Sequence, residues 1–173
     1  KQRLFFLRLQ AQAMIGLGEI ENGKRMYEDL CKGKRKEWWI LHEYGNFLKT
    51  QGDIEEALRL LCTAALLNSK LEMMVKLYSD LAEIFITKGD LEKAQKHYYL
   101  EKFVREENGW PVSTNLAASI EKINSKIGRN AEPHSKQEML LCCRKLWNGV
   151  CGTVGTDSKS NNKDLVGKLT IPN

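Results

Sequence analysis

The stretch "TQGDIEEAL" (Thr50–Leu58) returns 37 residues later as "TKGDLEKAQ" (Thr87–Gln95), and a looser version, "GLGEIENGK" (Gly16–Lys24), begins 34 residues before the first. Every copy runs glycine, acid, aliphatic, Glu. A glycine after an apolar-periodic run stops a helix, because it accepts a left-handed backbone. The acid that follows is placed to cap the next helix. At Asp53 the pattern is complete, with Glu56 three residues on as a capping-box partner. Asp90 has Lys93 at that position, which predicts a weaker cap. The flanks carry helical stripes: Leu41, Tyr44, Gly45 and Leu48 before one turn, Ala57, Leu61 and Ala64 after it. Leu81, Ala82 and Phe85 precede the next turn, and Ala94 and Tyr98 follow it. Recurrence every three or four residues is the apolar face of an amphipathic helix. The phrase therefore encodes a tight turn between two helices.

Two helices per 34 residues, with small residues at the close contacts and aromatics between them, resemble the tetratricopeptide repeat (TPR) family. The resemblance covers residues 4–108 as three repeats, about 4–35, 38–71 and 72–108. The second is the best match, with "YG" at Tyr44–Gly45 and Ala57; the first is degenerate, with Gln10–Ala11 before its turn and Gly23 in place of Ala. The 37-residue spacing predicts an additional turn of helix near "SKLEMMVK", where Ser69 and Glu72 could form a capping box. Two further helices, about Ser113–Ile127 and Pro133–Trp147, carry the stripes Leu116, Ile120, Ile123, Ile127 and Met139, Leu140, Cys143, Leu146. They read as a divergent pair over residues 112–147 that covers the open end of the stack, as solenoid termini require. The expected fold is all-α: a right-handed α-solenoid of antiparallel helix pairs over residues 1–147. Residues 148–173 form a Gly/Ser/Asn-rich tail. Its "LVGKLTI" has strand-like residues; a first strand of a further domain, a folded-back hairpin and plain disorder all remain open.

Composition places the chain among soluble globular proteins, with 42% hydrophobic and 28% charged residues. Its apolar runs, such as "AALL" at Ala64–Leu67, fall far short of the roughly 18 residues of a membrane span. The start at Lys1 and the end at "LTIPN" read as a piece cut from a longer protein. Five cysteines, an odd number without CxxC spacing, suit a reduced cytoplasmic compartment. The net charge of +5 is uneven: 9 basic against 4 acidic residues over 1–36, 9 against 13 over 37–107, and 9 against 5 beyond. An acidic middle between basic ends does not form the single basic stripe of a dedicated nucleic-acid binder.

No catalytic constellation is visible, and an enzyme is not expected. His42, His97 and His134 lie far apart and have no Cys or carboxylate at metal-ligand spacing. No phosphate loop, GxSxG or HExxH is present. No cofactor or metal is called for. "KGKRKEWW" (Lys32–Trp39) is the strongest local signal. Lys32, Lys34, Arg35 and Lys36 with Trp38 or Trp39 could hold a nucleic-acid backbone and stack on bases. The reading that weighs more is a solvated interhelix loop with Trp38 or Trp39 packed between repeats.

The TPR resemblance implies a groove lined by the first helix of each pair, holding an extended peptide or partner segment. Carried over position by position, its lining is Arg8 and Gln12, then Trp39, His42, Glu43, Asn46 and Lys49, then Lys76, Ser79, Asp80 and Glu83. One TPR subclass clamps the C-terminal carboxylate of chaperone tails with Asn and Lys/Arg side chains. Here Glu43 stands at its Asn position, and Ser79 and Glu83 replace its last cations, so a carboxylate would be repelled. The resemblance thus implies a protein-interaction or scaffolding module, its mixed groove suited to a peptide with basic and apolar side chains or to a neighbouring domain of the same protein. A nucleic-acid-associated module and a peptide-sensing regulatory domain are the alternatives.

Overall fold

The computed structural model describes residues 2–33, 36–67, 70–128 and 135–152, and among these there is no β-strand. The helices are α1 (Gln2–Gly16), α2 (Ile20–Lys32), α3 (Trp38–Thr50), α4 (Ile54–Leu67), α5 (Val75–Thr87), α6 (Leu91–Glu107), α7 (Thr114–Ile127) and α8 (Lys136–Gly152). A 3-10 turn, Leu71–Met74, precedes α5 and supplies the additional turn that the longer spacing predicts. Ser69, the expected cap there, lies outside the described residues, as do Pro133, His134 and the whole segment 153–173.

The repeated phrase makes the same backbone turn each time. Gly52 and Gly89 sit at φ +85 and +77, a left-handed geometry that glycine adopts at little cost. The next residue's N–H reaches back to a carbonyl five residues earlier, Asp53 to Leu48 at 3.0 Å and Asp90 to Phe85 at 2.8 Å. This is the Schellman closure of a helix. Glu19 closes α1 on Met14 at 2.9 Å, and Trp110 closes α6 on Arg105 at 2.8 Å, so "ENGWP" is a fourth stop of this kind.

The predicted ranking of the two caps is reversed. Asp90 accepts the Lys93 N–H at 3.1 Å and also pairs with the Lys93 ammonium at 2.5 Å. Asp53 accepts the Glu56 N–H at 3.4 Å, and the Glu56 carboxylate turns to Arg59 rather than back to the cap. A lysine at the third helical position can strengthen an aspartate cap through charge, a contribution that the box pattern omits.

Helices pack most closely within the successive pairs α1/α2, α3/α4 and α5/α6, with α2 on α3 and α4 on α5 joining the pairs. Small residues set the approach. A Cβ on Gly45 would lie 2.9 Å from Leu61 and 3.3 Å from the Ala57 carbonyl oxygen. Gly23, noted as a departure from the usual Ala, has even less room, 2.5 Å from Ile15 and 2.9 Å from the Ala11 carbonyl oxygen. Gly23→Ala is therefore expected to destabilise the protein by about 1–3 kcal/mol despite alanine's better helix propensity. Chemical denaturation measures it. Between the first two pairs the rings of Tyr27 and Tyr44 stack at 5.1 Å and 6°.

The last two helices do not form a fourth pair like the others. α7 packs on α6, whereas α8 takes its neighbours from α4 and α6 rather than from α7. The buried stripe of α8 is Met139, Leu140, Cys143 and Trp147, with Leu146 only half-buried. Trp147 stacks on Tyr78 of α5 at 6.1 Å and 3°, and its indole N–H donates to His97 Nε2 at 2.9 Å. Trp147 thus meets a buried ring on α5 and a buried acceptor on α6, a combination that matches an indole.

His97 is fully buried, and its neighbours fix its tautomer. Nδ1 lies 2.7 Å from the Lys93 carbonyl, which can only accept, so Nδ1 carries the proton and Nε2 is free to accept from Trp147. Burial is the main cause that pushes the imidazole down to about 4. In the unfolded chain the ring takes up a proton near its ordinary pKa of about 6.5. Below that pH the unfolded state gains a proton that the native state refuses. Stability from this site is thus fully present above about pH 6.5 and falls by about 3 kcal/mol in total as pH drops toward 4. Denaturation series across that range should show the slope, and His97→Leu should remove it.

Candidate functional site

The residues predicted to line a groove lie on α1, α3 and α5, the first helices of the three pairs. Most of them bond to one another across pairs, and their partners are about one repeat apart in sequence. Arg8 Nε donates to Glu43 at 2.6 Å, 35 residues on. Asn46 Nδ2 donates to Asp80 at 2.8 Å, and Lys49 pairs with Glu83 at 2.7 Å, each 34 residues on. Stacked pairs bring near-equivalent turns of adjacent first helices side by side, so a charge on one meets its complement on the next.

Asp80 is the centre of the set. Its carboxylate is 2% exposed and receives His42 Nε2 at 2.7 Å, Asn46 at 2.8 Å, Lys76 at 2.9 Å and Lys49 at 3.4 Å. Burial alone would raise its pKa, but the hydrogen bonds from His42, Lys76 and Asn46 and the charge of Lys49 hold it well below the usual carboxylate range. Glu43 is similarly engaged, accepting from Arg8 and from the Tyr27 hydroxyl of α2. Ser79 donates to the buried Glu101 of α6, which also pairs with Arg105 at 2.7 Å. Asn46 Oδ1 is buried and has no hydrogen-bond partner.

The other predicted residues are less engaged. Trp39 is half-buried, with the Arg8 guanidinium 5.7 Å from its ring centre. Gln12 is exposed, as are Lys76 and Glu83 apart from their ion-pairing ends. Tyr27 and Glu101 belong to the polar set without having been predicted, because they sit on the second helices and reach in from behind.

The "KGKRKEWW" segment divides. Lys34 and Arg35 lie outside the described residues. Lys32 is exposed and 3.7 Å from Glu28, and Lys36 is exposed. Trp38 and Trp39 both pack partly against the core, and Trp38 stacks on His42 at 6.3 Å.

Among the described residues no three His, Cys, Asp or Glu side chains gather as metal ligands, and no helix is long and apolar enough to cross a membrane. The five cysteines are free thiols. Burial pushes Cys31 up to about 11, so its thiol is protonated at neutral pH. What remains distinctive is the cross-linked row of polar side chains on α1, α3 and α5.

Residues 6–140 match the family described as a domain of unknown function, DUF7017. The chain belongs to that family. No match is found among curated proteins. The DUF7017 segment runs from Phe6 within α1 through α7 to the first turn of α8, and it ends at Leu140, before Cys143 and Trp147.

Proposed function

We propose that this DUF7017 chain is a non-enzymatic protein-interaction module of a cytoplasmic protein. Its helix pairs form a right-handed TPR-like solenoid, and a peptide or partner segment docks along α1, α3 and α5. The supporting observation is the Asp80 cluster. Four side chains from two helix pairs converge on one buried carboxylate, and Asn46 Oδ1 is left without a donor. Such a cluster holds His42, Asn46 and Lys49 in fixed rotamers, so a ligand meets a preorganised face. A buried acceptor with no partner costs about 1–3 kcal/mol, which a ligand N–H would recover with a small shift of the amide.

Polar groups that remain open to a ligand differ from the formal charge of the row. Asp80 and Glu43 are neutralised within the protein, while Gln12, Glu83 and the indole of Trp39 face outward in part. The favoured ligand is an extended segment whose backbone amides meet Asn46 and Gln12, with an apolar side chain against Trp39 and a cation beside Glu83.

The test is capture of proteins from a lysate by immobilised wild-type chain and by two variants. Gln12→Ala/Glu83→Lys alters the row at exposed positions, and Lys32→Ala/Lys36→Ala alters the α2–α3 connection. Loss of a captured protein with the first variant alone is the expected result. Retention by the first and loss by the second, with nucleic acid recovered in a strongly salt-dependent way, would transfer the function to the basic segment.

A further inference from the structure

A second surface lies at the α1/α2 end of the stack and meets the polar row at Trp39. α1 and α2 enclose an open cleft of about 750 Å³ whose apolar wall is Leu4, Leu7, Met14 and Met26. On the other side of Leu4, Phe5 and Phe6 line a neighbouring cleft of about 620 Å³. Phe6 is 67% exposed and Phe5 is 48% exposed. Apolar surface gathered in this way is a contact waiting for a cover.

The charges on the rim indicate which cover. Arg3, Arg25 and Asp29 border the first cleft, are exposed, and make no ion pair among the described residues. Arg25 and Asp29 are four apart on α2, but the cation precedes the acid, the less favourable order for pairing within a helix. Each is left available to a partner. An isologous interface needs a surface that complements itself, with both signs of charge on one patch. A partner of one dominant sign would satisfy only part of this rim.

We propose that this face is a homodimer interface. α2 of one copy crosses α2 of a second copy antiparallel about a two-fold axis near Met26–Glu28. The axis sets Arg25 of each copy against Asp29 of the other, twice, and the apolar walls of the two clefts close on each other.

Charge reversal tests this on the whole chain by sedimentation velocity over a wide concentration range. Wild type is expected to form a dimer. Arg25→Asp and Asp29→Arg each place two like-charged pairs in the interface and should weaken it about tenfold or more. An equal mixture of the two variants should recover wild-type affinity, because both contacts in the heterodimer again have opposite signs. Both positions are exposed, and unchanged circular dichroism confirms that each variant folds. A Phe6→Ser variant should also dissociate. A wild-type chain that stays monomeric at every concentration overturns the proposal, as does a mixture that associates no better than either variant alone.

Discussion

Replacing Trp147 by alanine is expected to lower the unfolding free energy by about 4 kcal/mol, and the transition temperature by roughly 10 °C. The indole is 1% exposed and is the largest fully buried side chain among the described residues. Its removal leaves a cavity against Tyr78 and takes the only N–H from His97 Nε2. Truncating a buried aromatic costs about 3–5 kcal/mol, and an orphaned buried acceptor adds to that. Trp147→Phe keeps a ring in place but not the donor, and should cost about 1–2 kcal/mol. Guanidinium denaturation separates the two. A loss within about 0.5 kcal/mol for the alanine variant, as at an ordinary surface site, would mean that Tyr78 and His97 do not anchor α8.

Asp80→Ala should cost about 3–5 kcal/mol, because it leaves the charged partners of a buried carboxylate facing one another. His42, Asn46, Lys49 and Lys76 all lose their common acceptor, and Lys49 alone keeps a second one in Glu83. The pH dependence gives a second reading of the same site. A carboxylate held below its ordinary pKa contributes stability that is fully present above the ordinary carboxylate range and is lost progressively as pH falls from there to the depressed value. The difference between wild type and Asp80→Ala should therefore be largest near neutrality and shrink in acid. A difference that did not change with pH would show that packing, not the charge, is what Asp80 supplies.

Much of the fold was legible because it is written locally. A Gly–acid phrase and flanking stripes need only a few residues to specify a turn and two helices, and the three pairs formed where expected. The final pair was misjudged because its placement is a long-range choice. Nothing within Lys136–Gly152 says that Trp147 will prefer Tyr78 and His97 to the face of α7. The stripe through Leu146 was off by one residue for the same reason, since Cys143 and Trp147 are themselves a helical spacing apart. At the candidate site the positions on α1, α3 and α5 came from the repeat register, but their charges were read as if each faced a ligand. Glu43 and Asp80 face Arg8 and the His42–Lys76 cluster instead. A one-repeat offset between acids and cations, such as Arg8 with Glu43 or Lys49 with Glu83, is the signal in the sequence that could have revealed it.

Amide hydrogen exchange on the whole chain, alone and with the protein that it captures, tests the central claim most directly. Docking along the polar row predicts added protection on α1, α3 and α5, strongest around Asn46 and Asp80, with α2, α4 and α6 unchanged. Protection that falls on α4, α6 and α8, or on residues 32–37, while the row remains unchanged would contradict it.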